Sequence, residues 1–524
     1  MKKINFIFIL SSLLLLSFSS CMNDLNQVPP GTGSVTTPEM AWQNSDTYEQ
    51  FLAKLYACFA LSGNNGPNGL DDINGNDQGE TTFTRSYWNL QELTTDEAIC
   101  AWSDEGLNGL MFCNWNSSNR FCQLSYNRLM MTISYCNEFL RNTTDEVLNS
   151  RGLSEDLKTT VRSYRAQAIV IRAMNYYFLM DLYANVPYVP EDAPVGTYLP
   201  EQKGRDFFFP WIENELKSAE GKLPVKSAST YGLINNQVVW MVLAKMYMNA
   251  EVYIGQNKYT EALTYLNKII ASGYTLDPVY KNIFGADNDK SPEIIFPIIF
   301  DGIKATTYGG TMYLEAASWD TDMDPTTNFG LNAAWKGLRV KESLSSLFTD
   351  DDVRARFWKE GRVQETSSLY DFTFGYSSFK YTNLKSDGTP GQSQAFPDTD
   401  FPMYRLSDVY LMYAEAVLRG GAGGDRPTAL NYVNALRRRA NTSTINDSQL
   451  TLDFLLDERA RELWWEGHRR TDLIRFNKFT ANYKWPWKNG VWMGTANISD
   501  IYKIFPIPAT ELTANSNMKQ NSGY

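Results

Sequence analysis

Residues 455–476 read LLDERARELWWEGHRRTDLIRF. Glu458, Arg459, Arg461 and Glu462 crowd together, a Trp pair follows at 464 and 465, and His468 is the only histidine in the chain. Such a stretch is either a catalytic centre built on a lone imidazole or the end of a packed helix. Leu452, Leu456, Ala460 and Leu463 fall on one stripe of a 3.6-residue period, the mark of a face packed on a core. Gly467 then supplies the usual helix terminator, because glycine enters the left-handed region without a Cβ penalty. The charges can pair locally. Asp457–Arg461 and Glu466–Arg470 are spaced i,i+4 and Glu458–Arg461 i,i+3, each adding about 0.2–0.5 kcal/mol. A Ser-His-Asp or Cys-His mechanism would have to use His468, and a helix end accounts for it better. The stretch itself is therefore expected not to be a catalytic centre, although counting the 59 acids does not exclude a two-carboxylate glycosidase site elsewhere.

Working outward, helical periodicity recurs over 36–60, 120–141, 155–184, 205–220, 234–254, 258–272, 404–419, 427–440 and 451–466. The 155–184 helix should stop before Asn185-Val186-Pro187, since the residue preceding a proline avoids the helical region. Two helix pairs look alike: Ala244 and Tyr247 face Tyr259 and Ala262, and Ala414 and Val417 face Ala429 and Val433. Small residues at such crossings let helices approach closely, and the Y-x-x-A spacing resembles tetratricopeptide repeats. GGAGGD (420–425) is then a connector, lacking the Lys-Ser/Thr of a phosphate loop. Long irregular regions at 61–119, 276–403 and 477–524 interrupt the helices, with EIIFPIIF (293–300) a candidate buried strand. The expected fold is mostly α: a tetratricopeptide-like helical-pair scaffold with large loop insertions and a few short strands. The scaffold covers about 36–60, 120–275 and 404–476, the ligand-facing loops 61–119 and 276–403, and 477–524 closes a single globular domain spanning 36–524.

The chain begins MKKINFIFILSSLLLLSFSSC. Lys2 and Lys3, an apolar run from Ile4 to Leu16 and a small-residue site form a signal peptide over 1–20. The cysteine directly after it resembles a bacterial lipoprotein signal, in which Cys21 is acylated; an ordinary secretory signal is the alternative. Residues 21–35 are polar and rich in Pro and Gly, a flexible leash. Removing residues 1–20 takes two lysines and no acid, so the net charge of −11 deepens to −13. That disfavours nucleic acid as a partner. With Cys21 lipidated, Cys58, Cys100, Cys113, Cys122 and Cys136 remain. A disulfide among Cys100, Cys113 and Cys122 or buried free thiols are both compatible with the spacing. No metal site is expected: there is no CxxC, and DINGND (72–77) lacks the glycine and glutamate of a calcium loop. No cofactor is expected either.

Four stretches resemble the SusD/RagB family of outer-membrane nutrient-binding lipoproteins of Bacteroidetes. They are RAMNYYFLMDLYANVPYVPED (172–192), FPMYRLSDVYLMYAEAVLRG (401–420), DERARELWWEGHRRTDLIRF (457–476) and IFPIPATELTANSNMKQNSGY (504–524). The resemblance implies a cell-surface protein, anchored in the outer membrane through Cys21, that binds oligosaccharides without chemistry. It would hand them to a SusC-like TonB-dependent transporter. Some relatives handle peptides, so a RagB-like peptide binder is the alternative.

Aromatics make up 14% of the chain, enough to supply a glycan platform in the loops. Sugar rings stack their C–H faces on aromatic rings, while Asn, Asp and Arg at the rim satisfy hydroxyls. The first long loop offers Trp88, Trp102 and Trp115 with Asn108; the second offers Tyr308, Tyr313 and Trp319 with Asp320. Each ring has a bland alternative, since a Trp in a long loop more often plugs that loop onto the scaffold. WPWKNGVW (485–492) is expected to pack structurally.

Overall fold

The computed structural model describes residues 38–67, 71–194, 196 and 198–524. Cys21, the signal peptide and most of the leash lie outside the described residues. The chain divides into two compact units, 1–48 and 49–524, whereas the sequence places the leash boundary at residue 35. In the first unit a short helix, Pro38–Gln43, is followed by Tyr48, whose hydroxyl donates to the Trp42 carbonyl at 3.0 Å.

The second unit is the helical scaffold. Its main helices are α1 (Arg120–Arg141), α2 (Glu155–Tyr183), α3 (Arg205–Ala219), α4 (Asn236–Met248), α5 (Tyr259–Ile270), α6 (Leu406–Leu418), α7 (Arg426–Arg439), α8 (Leu452–Leu463) and α9 (Arg469–Arg475). Their starts follow from side-chain caps. Asn119, Ser154, Asn235, Asp425 and Thr451 each accept a hydrogen bond from a first-turn N–H that the helix cannot satisfy itself. Packing runs along the chain: α1 on α2, α2 on α3, α4 on α5, α5 on α6, α6 on α7 and α8. Ala244, Ala262, Ala414 and Ala429 are fully buried at these crossings, as the small-residue spacing requires. Gly424 in the 420–425 connector leaves room for the Val417 and Tyr413 side chains, which a Cβ there would meet at 2.7 and 2.9 Å.

Four strands matter for function: β1 (Ala98–Cys100), β2 (Ile294–Ile298), β3 (Leu338–Val340) and β4 (Phe401–Arg405). β2 pairs antiparallel with β4, and β1 with β3, in the register Ala98↔Val340 and Cys100↔Leu338. The candidate strand at 293–300 is therefore present. β1 and β3, three residues each, carry no readable alternation.

The 455–476 stretch is a core element, and its charges pair across the fold rather than along the helix. Of the three local pairs, only Glu458–Arg461 (2.8 Å) forms among the described residues. Glu458 also bonds Arg354 and Arg437, at 2.7 and 2.8 Å. Glu462 holds Arg405, Arg354 and Arg439. Glu466 takes Lys380 and Arg405, both at 2.6 Å. Arg459 reaches Asp408 and Asp472, Arg469 reaches Asp96, and Arg475 reaches Glu415. These groups are buried, so each ion must be paired. Deleting one partner of such a pair costs about 3–5 kcal/mol, far more than a surface pair contributes. The expectation of weak local pairs fails because the helix is covered on its charged face as well.

His468 sits inside this core. Its Nδ1 lies 3.2 Å from Lys245 Nζ, which bonds Asp408 at 2.8 Å. Burial, then the Lys245 charge, drives its pKa well below the usual imidazole range. Gly467 has φ +79° but is not the helix terminator expected of it. α8 already ends at Leu463, Trp465 takes the first left-handed position (φ +61°), and Gly467 instead leaves room for the Tyr87 ring. All five cysteines from Cys58 to Cys136 are free and buried.

Candidate functional site

The β1–β3 ladder delivers two tryptophans to the same end of one ribbon. Trp102 follows β1 by two residues and Trp335 precedes β3 by three, and in an antiparallel pair those positions lie side by side. The Trp102 Nε1–H donates to the Trp335 carbonyl at 3.1 Å. Gly337 makes the approach possible, since a Cβ there would stand 2.6 Å from the Trp102 ring. Tyr308 adds a third ring, its centre 6.1 Å from Trp335 and 5.1 Å from Phe396. All three rings are partly exposed.

A second glycine contact brings the first loop onto the second. Gly79 has φ +85°, and its Cα faces the backbone of Tyr308 and Gly309 so closely that any side chain would collide. This places the 77–85 segment beside Tyr308. Arg85 bonds Asp77 through both Nη atoms, at 2.9 and 3.1 Å. Its guanidinium lies 4.5 Å from the Tyr313 ring centre and 5.8 Å from that of Trp102. Arg85 is buried while the Asp77 side chain is 49% exposed, so the carboxylate faces solvent on a rigid support. The result is a surface of three rings with a fixed Asp–Arg pair at its edge.

Of the ring candidates named from the sequence, Trp102 and Tyr308 stay partly exposed. Four other ring candidates do not, and are corrected. Trp88 is fully buried, its Nε1 donating to the Trp465 carbonyl at 3.1 Å. Trp115 is buried on Phe505, its Nε1 donating to the Tyr524 hydroxyl at 2.7 Å. Tyr313 is buried and donates to Asn89 Oδ1 at 2.9 Å. Trp319 is stacked on Phe329 inside the core and donates to the Ser378 carbonyl at 2.9 Å. Each plugs a loop onto the scaffold, with its one polar hydrogen satisfied internally. Asp320 is buried too. It caps the turn Thr321–Met323 and pairs with Lys336 at 2.8 Å. Asn108 is half-buried and donates to the Tyr370 hydroxyl at 2.8 Å. More broadly, residues 79–100 and 309–320 are core throughout, so much of the expected ligand-facing loops forms the site's foundation.

Sequence inspection offered Arg85 as a polar neighbour of Trp102 but missed Trp335 and the pairing of Arg85 with Asp77. A signal for Trp335 existed: NAAWKG surrounds it with small and polar residues, so no apolar stripe buries it. Nothing in the sequence marks the Gly79–Gly309 contact that joins the loops.

A helical-pair scaffold that carries partly exposed rings on its loop insertions defines the class of fold. Within that class the relatives are specific. The SusD family model matches residues 356–524. The chain is 32% identical to the starch-binding protein SusD of Bacteroides thetaiotaomicron, over 97% of this chain and 96% of that one. It is 24% identical to SusD-like protein P25 of Formosa agariphila over 98% of each. Among solved structures, surface glycan-binding protein A of B. thetaiotaomicron, in complex with laminarihexaose, superposes with a TM-score of 0.68 at 21% identity. That match covers 91% of this chain and 99% of the other. The chain belongs to the SusD family. The aromatic surface lies N-terminal to the segment that the family model matches.

Proposed function

We propose that this protein binds oligosaccharide on the surface formed by Trp102, Trp335 and Tyr308, without acting on it chemically. The observation that carries the proposal is the set of three partly exposed rings joined across two loops by glycine contacts, with the Asp77–Arg85 pair beside Trp102. Sugar C–H faces stack on the rings, contributing on the order of 1 kcal/mol each, while Asp77 and Arg85 hydrogen-bond hydroxyls. The likeness to a starch-binding protein supports an α-glucan. Delivery follows from the same family: a lipid anchor on Cys21 holds the protein at the outer-membrane surface, where it passes ligand to a SusC-like TonB-dependent transporter.

The test is a calorimetric screen of the pure protein against maltooligosaccharides, laminarioligosaccharides and peptides. Saturable binding of a maltooligosaccharide, with no new reducing ends on incubation, is the expected result. Binding of peptides alone would replace the glycan proposal with the peptide one, and turnover would remove the non-catalytic one.

A further inference from the structure

A second cavity, of about 270 Å³, lies elsewhere on the same substructure and has a different chemistry. Its lining includes Lys281, Asn282, Arg356, Trp358, Phe379 and Lys385. Trp358 and Phe379 pack on the buried cluster of Met312, Trp319, Phe329 and Leu331 that also supports Tyr308 and Trp335. The two surfaces therefore share a rigid wall.

The charge of this cavity runs against that of the chain. The protein carries a net −11, yet three cations and no carboxylate line the cavity. The neighbouring acids are already engaged: Asp287 with Lys290 and Ser386, Asp387 with Thr389. Remote negative charge matters little, because solvent screens it beyond about 8 Å at physiological salt.

Arg356 is the central group. Its Nε donates to the Phe379 carbonyl at 2.9 Å, and its guanidinium covers the Phe379 ring at 4.8 Å. Among the described residues its side-chain hydrogen bond is this one from Nε, which leaves both Nη atoms without a hydrogen-bond or ion-pair partner. Burial with no anion beside it lowers its pKa to about 10. With Nε committed, the two Nη atoms present an end-on fork, matched in spacing to two oxygens of one oxyanion. The Asn282 Oδ1 is buried without a partner, an acceptor waiting for a hydroxyl or N–H.

We propose that this cavity is an anion-accepting sugar subsite that takes one acidic sugar residue, a hexuronate. Arg356 grips the carboxylate end-on, Lys281 and Lys385 supply the surrounding field, Asn282 accepts a ring hydroxyl, and Trp358 borders the apolar face. The volume sits just below the range of about 300–1,000 Å³ usual for small-ligand sites, which suits one ring rather than a chain. An uncompensated, partly buried cation is costly, and the bound carboxylate removes that cost. The subsite does not depend on the neutral-glycan surface around Trp102 and Trp335.

The test titrates glucuronate, glucose and inorganic sulfate by ligand-observed NMR at low salt. It compares the full-length protein with Arg356→Gln, the double variant Lys281→Gln/Lys385→Gln, and Trp335→Ala. The expected result is saturable glucuronate binding at least tenfold tighter than glucose or sulfate. It should weaken at least tenfold in both charge variants and stay unchanged in Trp335→Ala. Because Lys281 is exposed and Lys385 partly so, the double variant keeps the test decisive even where Arg356→Gln folds poorly. Glucose or sulfate binding as tightly as glucuronate, no saturable glucuronate binding, or glucuronate binding unchanged in the double variant would each overturn the proposal. Neutral maltooligosaccharide binding, read separately, reports on the aromatic surface alone.

Discussion

The indole nitrogen of Trp102 donates to the backbone carbonyl of Trp335 across 3.1 Å, tying together rings 233 residues apart in the chain. The bond fixes the Trp102 ring through its edge and leaves a face for ligand. It also makes the surface depend on the main chain of the second loop, not only on the side chains that touch sugar.

Gly337→Ala tests that dependence. The added methyl would stand 2.6–2.9 Å from the Trp102 ring, so the ring or the ribbon must move. Forcing extra volume into a packed site costs about 1–3 kcal/mol. We expect a lower thermal midpoint and at least a tenfold loss of glycan affinity, read by calorimetry and scanning fluorimetry. Unchanged affinity would mean that Trp102 is not held as described.

Asp77→Asn separates hydroxyl binding from scaffolding. Asp77 is half exposed and Arg85 is sandwiched against Tyr313 and Trp102. The asparagine keeps one acceptor for the buried Arg85 guanidinium, and Asp77 itself is half exposed to screening solvent. The loss should stay at about 1 kcal/mol rather than the larger cost of stripping a fully buried pair, so the urea midpoint should move little. Glycan affinity should fall several-fold. A large stability loss with intact binding would make the pair structural only.

Stability should rise as pH falls from 7 to about 5 and drop below about pH 4. Burial raises the carboxyl of Asp400 to about 7, and it raises those of Glu315 and of the Glu92–Glu97 pair above the usual range. In the unfolded chain these groups take up protons only near pH 4, so folding binds protons between pH 7 and 5 and gains stability as pH falls. His468 opposes this: it stays neutral when folded, whereas the unfolded imidazole protonates below about 6.5. Four groups outweigh one. Below about pH 4 the sign reverses. Burial alone would raise Glu458 and Asp472, but Arg354, Arg461 and Arg437 around the former, and Arg459 and Arg475 around the latter, hold both at about 2. Their contribution is lost as the pH falls from about 4 toward 2. Urea midpoints measured from pH 7 to 3 check this, and a monotonic decline from pH 7 would contradict it.

The thiols should be silent in the folded protein. Cys58, Cys100, Cys113, Cys122 and Cys136 are buried, and burial pushes the Cys100 and Cys113 thiols up to about 12. A chromogenic disulfide reagent should react with none of them in native buffer and with all five in guanidinium chloride. Fast native labelling would show that the 98–136 region opens readily.

Much of the scaffold was legible because its signals are local. The 120–141 periodicity returned α1 at Arg120–Arg141, and the proline at 187 stopped α2 at Tyr183. EIIFPIIF marked β2, whereas Gly467 misplaced the end of α8, which stops at Leu463. The site was harder to read because it is made by long-range contacts. β1 and β3 are too short for a pattern, and the Gly79–Gly309 and Gly337–Trp102 approaches join segments about 230 residues apart. A tryptophan's type also does not say which way it faces. Trp319, Trp88 and Trp115 are buried, whereas Trp102 and Trp335 stay partly exposed although Trp102 also finds an internal acceptor. The charges of α8 misled for a related reason: spacing shows which side chains could pair along a helix, not that Arg354, Arg405 and Arg439 arrive from elsewhere.

The most direct test is the affinity of Trp335→Ala for a maltooligosaccharide, measured by calorimetry beside the wild-type protein and Trp319→Phe, with thermal midpoints for all three. Trp335→Ala should lose at least tenfold in affinity and keep a near wild-type midpoint, whereas Trp319→Phe should lower the midpoint and retain affinity. Wild-type affinity in a folded Trp335→Ala would contradict the account.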